Sequence, residues 1–107
     1  MAKGPMKPGE ATIFIRQKCG PDLKLHWTGH ARDRLVERDL IMGDALHVLK
    51  HGFVHDEAEE ATRRGTWKYC IECVTPNSRG RTIRLVVIPF TTCDIKIVTV
   101  MWADERD

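Results

Sequence analysis

At 107 residues the chain has room for one domain with one modest hydrophobic core. Apolar residues make up 42% and charged residues 30%, a globular balance that excludes a disordered chain. The net charge is only +2, and no apolar run approaches the ~20 residues that a membrane span needs, so neither a strongly basic protein nor a membrane-spanning one is expected.

Residues 1–10, rich in Lys, Gly and Pro, read as a flexible arm with no apolar signal core behind it, which points to a cytoplasmic protein. Residues 11–18 contain Ile13, Phe14 and Ile15 and read as a strand. Gly20 and Pro21 mark a turn, and residues 23–27 alternate Leu23, Leu25 and Trp27 with polar residues as a half-buried strand would. The two strands are expected to pair as a hairpin. Thr28 is a candidate N-cap for a helix over residues 29–38, with Ala31 and Leu35 as its apolar edge. A second helix follows over residues 43–51, with Asp44 at its positive end, Ala45, Leu46, Val48 and Leu49 buried, and Gly52 as its stop.

Residues 53–57 begin a strand, and an acidic run and Arg63-Arg64-Gly65 form a loop. Residues 66–75 then alternate, with Trp67, Tyr69, Ile71 and Cys73 on one face and Lys68, Cys70 and Glu72 on the other. A turn at residues 76–80 leads into a strand over residues 81–90. A second turn at residues 92–94 leads into a last strand over residues 95–102. Both late strands are apolar on both faces, as central strands are. The expected class is α+β: two short helices on one face of a mostly antiparallel sheet of about four to six strands, in a single domain over residues 11–103 with a polar tail over 104–107.

Cys70 and Cys73 have C-x-x-C spacing, but residues three apart on a strand point to opposite faces, and no second ligand pair accompanies them. No metal site and no cofactor is expected; the four thiols are taken as reduced. The three tryptophans have apolar strand neighbours and belong to the core. Between residues 63 and 84, Arg63, Arg64, Lys68, Arg79, Arg81 and Arg84 face the single acid Glu72, a footprint suited to nucleic acid or an acidic partner.

The stretch with the clearest chemistry is 29–38. On a helix, His30, Arg34 and Arg38 fall at i, i+4 and i+8 and form one stripe. An imidazole near a helix start favours its neutral, basic form, and a guanidinium one turn away can fork onto phosphate oxygens. Arg38 reads as structural, and Arg32, Arg34 and Arg38 have Asp33, Glu37 and Asp39 in reach as weak ion-pair partners.

The string His30-Ala31-Arg32-x-Arg34-x-x-Glu37-Arg38, the strand around Tyr69, the run 84–88 and the closing Val98-Thr99-Val100-Met101-Trp102 together resemble a family of small bacterial proteins filed as a domain of unknown function. That family is similar in plan to BrnT and RelE toxins, which share a fold with barnase, EndoU and colicin-type ribonucleases. The resemblance spans residues 23–102 and leaves the N-terminal hairpin as an extra. It implies a metal-independent ribonuclease of the mRNA interferase type, often paired with an antitoxin protein, with His30, Arg34 and Thr99 as functional positions. From charge and strand parity, Arg84 and Lys68 join His30 and Arg34 as the catalytic set, and Arg63, Arg64 and Arg81 join Thr99 in contacting RNA. The alternative is a non-catalytic domain of the same fold that binds protein or nucleic acid.

Overall fold

The computed structural model describes residues 5–90 and 93–105. Its first element corrects the sequence reading. Residues 8–17 form a helix, α1 (Pro8–Gln17), where a strand was expected. Ile13, Phe14 and Ile15 are strand-favouring residue types, but the buried residues are Ala11, Thr12 and Ile15, at helical spacing, and Ile13 faces solvent. Pro8 at the first turn costs no hydrogen bond, and Glu10 accepts from the Lys7 N–H. The arm also ends earlier than expected: the Met6 N–H donates to the Tyr69 hydroxyl at 2.9 Å.

The hairpin is likewise absent. Strand β1 (Lys24–Trp27) pairs with the last strand in parallel, Leu25 opposite Ile95 and Trp27 opposite Ile97. With a helix before it, β1 has no antiparallel neighbour to fold back on. The two expected helices are α2 (Gly29–Glu37) and α3 (Met42–His51). Between them the chain turns in a Schellman motif. The Leu40 N–H donates to the Leu35 carbonyl and the Asp39 N–H to the Val36 carbonyl, each at 3.0 Å. Asp39 takes the left-handed conformation this motif needs (φ 58°), and Leu40 and Leu35 are both buried beneath it.

Gly52 ends α3, but for a different reason from the one its residue type suggests. Its φ is −78°, which any residue adopts. A Cβ there would lie 2.5 Å from the Val48 carbonyl oxygen and 2.9 Å from Ile71 Cγ1. The glycine lets the helix end touch the sheet. Arg16 of α1 then donates to the His51 and Gly52 carbonyls, satisfying groups the helix leaves open.

The sheet contains β2 (Phe53–Val54), β3 (Glu59–Glu60), β4 (Trp67–Val74), β5 (Thr82–Pro89) and β6 (Asp94–Trp102). Its order is β1-β6-β5-β4-β2, with β3 also on β4, and every pairing but β1–β6 is antiparallel. This is the α+β class expected, with three helices in place of two. Ile71, Ile83, Leu85, Val87, Ile95, Ile97 and Val100 are fully buried with Ala11, Ile15, Ala31, Val48 and Leu49 of the helices. Each large side chain of this kind contributes about 1.5–3 kcal/mol on leaving water. Trp27, Trp67 and Trp102 are half-buried against this cluster, as expected. Among the described residues no helix is long and apolar enough to cross a membrane.

β6 carries one irregularity. Val86 of β5 pairs with Thr99 and Val87 with Ile97, so Val98 is an extra, bulged residue. The bulge lets both Ile97 and Val100 face the core and turns Thr99 outward beside Val86.

Two buried polar side chains fix the β4–β5 turn. Asp44, at the start of α3, accepts from the Ile41 N–H (2.9 Å), the Thr75 hydroxyl (2.8 Å) and the Asn77 amide (2.9 Å). Ser78 Oγ accepts from the Thr75 N–H and donates to the Thr75 carbonyl, each at 2.9 Å. Burial opposes ionisation of Asp44, but these donors outweigh it and hold the carboxyl below the usual aspartate range.

Candidate functional site

The bulge in β6 and the cap of α2 are one construction. The Thr28 hydroxyl donates to the Val98 carbonyl at 2.9 Å and accepts from the Ala31 N–H at 2.9 Å. The helix start is thereby tied to the bulged strand, two residues before His30 and one residue before Thr99. Ala31 and Leu35 bury the inner face of α2, leaving the His30 imidazole exposed. Among the described residues His30 has no hydrogen bond or ion pair.

The rest of the stripe is differently employed. Arg34 Nη1 donates to Glu37 Oε1 at 2.6 Å, one of the pairings expected from the sequence. Arg34 remains 38% exposed, so this pair is weak and exchangeable. Arg38 is structural, as expected, but through a partner the sequence reading did not name. Its guanidinium forks onto Glu105, Nε to Oε1 at 2.9 Å and Nη2 to Oε2. Glu105 also accepts from the Trp102 N–H. The hydrogen bond with Arg38 holds the Glu105 carboxyl below its ordinary value, and the same bond raises Arg38. The 104–107 tail is thus tied down at Glu105, while Arg106 and Asp107 lie outside the described residues.

The sheet residues chosen from charge lie on the face turned away from the core. Arg84 alternates with the buried Ile83 and Leu85 and sits opposite Glu72, donating to it at 2.7 Å. Lys68 projects from the same face, 4.0 Å from Glu59. No hydrogen bond or ion pair among the described residues joins Arg84 or Lys68 to His30 or Arg34. Arg63 and Arg64 are exposed on the loop before β4. Arg81 donates to Asp104 at 3.0 Å and stacks 4.1 Å above the Trp102 ring. Acids the linear charge count placed elsewhere therefore answer much of the basic stretch.

Cys70 and Cys73 fall on opposite faces, Cys70 opposite Val86 and Cys73 opposite the buried Ile83. Burial pushes both thiols up. That divergence matches the strand parity read from the sequence and removes the pair as joint ligands.

Sequence reasoning named Trp102 and Arg79 without their settings, and it missed Glu105 altogether. Trp102 is a platform for Arg81 as well as a core residue. Arg79 is exposed in the β4–β5 turn with φ 56°. In the linear sequence Arg79 is one charge of the basic stretch beside Gly80, and Glu105 is 67 residues from the Arg38 it holds.

No curated protein and no solved structure matches the chain. One family model does, over residues 27–102, which takes in α2 through β6 and leaves α1 outside. The match covers most of the chain, and the protein belongs to the family described as Domain of unknown function (DUF4258).

Proposed function

We propose that this domain is a metal-independent ribonuclease, the toxin of a toxin–antitoxin pair, acting through His30 with Arg34. The observation that carries the reading is an exposed imidazole, unpartnered among the described residues, one helical turn from a half-exposed guanidinium, at a helix start tied to a bulged strand. Bulges of this kind re-aim side chains beside sites. In the proposed step the His30 imidazole takes the proton of an RNA 2′-hydroxyl. The 2′-oxygen bonds to phosphorus, the P–O5′ bond breaks, and the 5′-oxygen takes up a proton as a 2′,3′-cyclic phosphate forms. Arg34 leaves Glu37 to meet the charge growing on the phosphate; losing such a donor typically costs about 2.7–4 kcal/mol of barrier. Thr99 borders the same helix start. An antitoxin protein is the proposed partner.

A second reading is favoured by the ion pairs. Arg34, Arg84 and Lys68 are each held by a separate carboxylate and do not converge with His30, an arrangement that suits a non-catalytic domain binding protein or nucleic acid. Induced expression in a bacterial host separates the two. Growth arrest with fragmented RNA, relieved by His30→Ala and Arg34→Ala in folded protein, is the ribonuclease outcome. Intact RNA with RNA co-purifying in a salt-sensitive complex is the binding outcome.

A further inference from the structure

A cleft opens between the α2–α3 junction, the β4–β5 turn and the end of β6. Its volume is about 180 Å³, and Arg38, Asp39, Asn77, Arg79, Arg81 and Trp102 line it. Three guanidiniums at one small cleft would repel each other without anions. Glu105 answers Arg38 in a half-buried fork, and Asp104 answers Arg81 in a pair exposed on both sides. Arg79 has no hydrogen bond or ion pair among the described residues.

The backbone at Arg79 is the second observation. The Arg81 N–H donates to the Ser78 carbonyl at 3.0 Å, closing a tight turn whose central residues, Arg79 and Gly80, both have positive φ (56° and 81°). Mirror-image hairpin turns of this kind favour Asn-Gly at their centre. An arginine in the Asn place is strained, and it is held there by the Asp44 and Ser78 hydrogen bonds on the preceding residues. Asn would fit the turn better, so the fold alone gives no reason for Arg79.

We propose that this cleft is a phosphate-binding site, in which Arg79 and Arg81 take a phosphate group of single-stranded RNA and Asp104 occupies Arg81 until the ligand displaces it. Arg38, forked to Glu105, forms the fixed floor, and the Trp102 ring holds the Arg81 guanidinium in place by stacking. Planar guanidiniums match tetrahedral phosphate oxygens in paired hydrogen bonds, which a lone carboxylate in an exposed pair does not outcompete. RNA as the carrier rests on the functional reading above; the cleft and its preference for phosphate do not.

The test is equilibrium binding to the full chain in the His30→Ala background, so that cleavage cannot consume the probe. The probes are a short single-stranded RNA and inorganic pyrophosphate. Asp104→Asn is expected to tighten both, and Arg79→Asn to weaken both by about tenfold, the scale of one charge-assisted hydrogen bond. Arg79→Asn is also expected to raise the melting temperature or leave it unchanged, so weaker binding cannot come from a damaged fold. Pyrophosphate binding with this dependence but no RNA binding would keep the site and overturn RNA as its ligand. Equal binding of both probes by the parent, Asp104→Asn and Arg79→Asn would overturn the site.

Discussion

Asp44 shows how one side chain can organise distant parts of the molecule. It caps α3 and, 31 and 33 residues away, receives Thr75 and Asn77, so that the helix start and the β4–β5 turn share one carboxylate. Asp44→Ala leaves those donors without an acceptor and is expected to cost about 2–4 kcal/mol in denaturant unfolding at pH 7. Because the folded-state value lies below the ordinary aspartate value near ~3.9, the contribution is present above that pH and is lost as pH falls through the folded value. Asp44→Asn should therefore lower stability at neutral pH and flatten its decline below about pH 4. The sequence showed Asp44 only as a charge near a helix end. Its partners lie across the turn, and nothing local marks them. The placement of His30 one turn from Arg34 was legible because helix periodicity alone sets it, whereas Arg84 and Lys68 were chosen by charge. Charge along a strand does not reveal Glu72 or Glu59 on the neighbouring strands.

At the scale of elements, packing decided what local preference left open. α1 was misread because Ile13, Phe14 and Ile15 form a β-like run, and only the burial of Ala11, Thr12 and Ile15 on one side reveals the helix. The misreading of α1 also produced the false hairpin, since β1 finds its partner on β6, about 70 residues later. α2, α3 and β4–β6 were legible because each carries its own period and punctuation. α1 docks through Thr12, whose hydroxyl accepts from the buried Val54 N–H at 2.8 Å. Thr12→Val should cost about 1–3 kcal/mol by orphaning that donor, a loss that urea titration would show. Gly52→Ala should destabilise the protein by about 1–3 kcal/mol, since the added methyl meets the Val48 carbonyl and Ile71. An unchanged melting curve for Gly52→Ala would mean that α3 and β4 can separate at no cost.

Over the whole molecule, the basic character read from residues 63–84 is only partly left open to solvent. Acids from β3, β4 and the residues after β6 answer Lys68, Arg84 and Arg81, and Arg79 at the turn and Arg63 and Arg64 on the loop are left exposed. Thiol chemistry follows burial in the same way. Cys19, Cys70 and Cys73 are half-buried with thiols pushed up by desolvation, while Cys93 is exposed. A thiol-reactive reagent at pH 7.5 is expected to modify Cys93 first and the other three slowly; fast modification of Cys70 and Cys73 together would contradict the sheet register.

The central claim, that His30 at the bulge-anchored start of α2 cleaves RNA, is tested most directly with purified protein and RNA in excess chelator. Wild type should yield fragments ending in 2′,3′-cyclic phosphate, and His30→Ala, with an unchanged melting temperature, should yield none. Equal cleavage by His30→Ala, or no cleavage by folded wild type freed of any antitoxin, would contradict it.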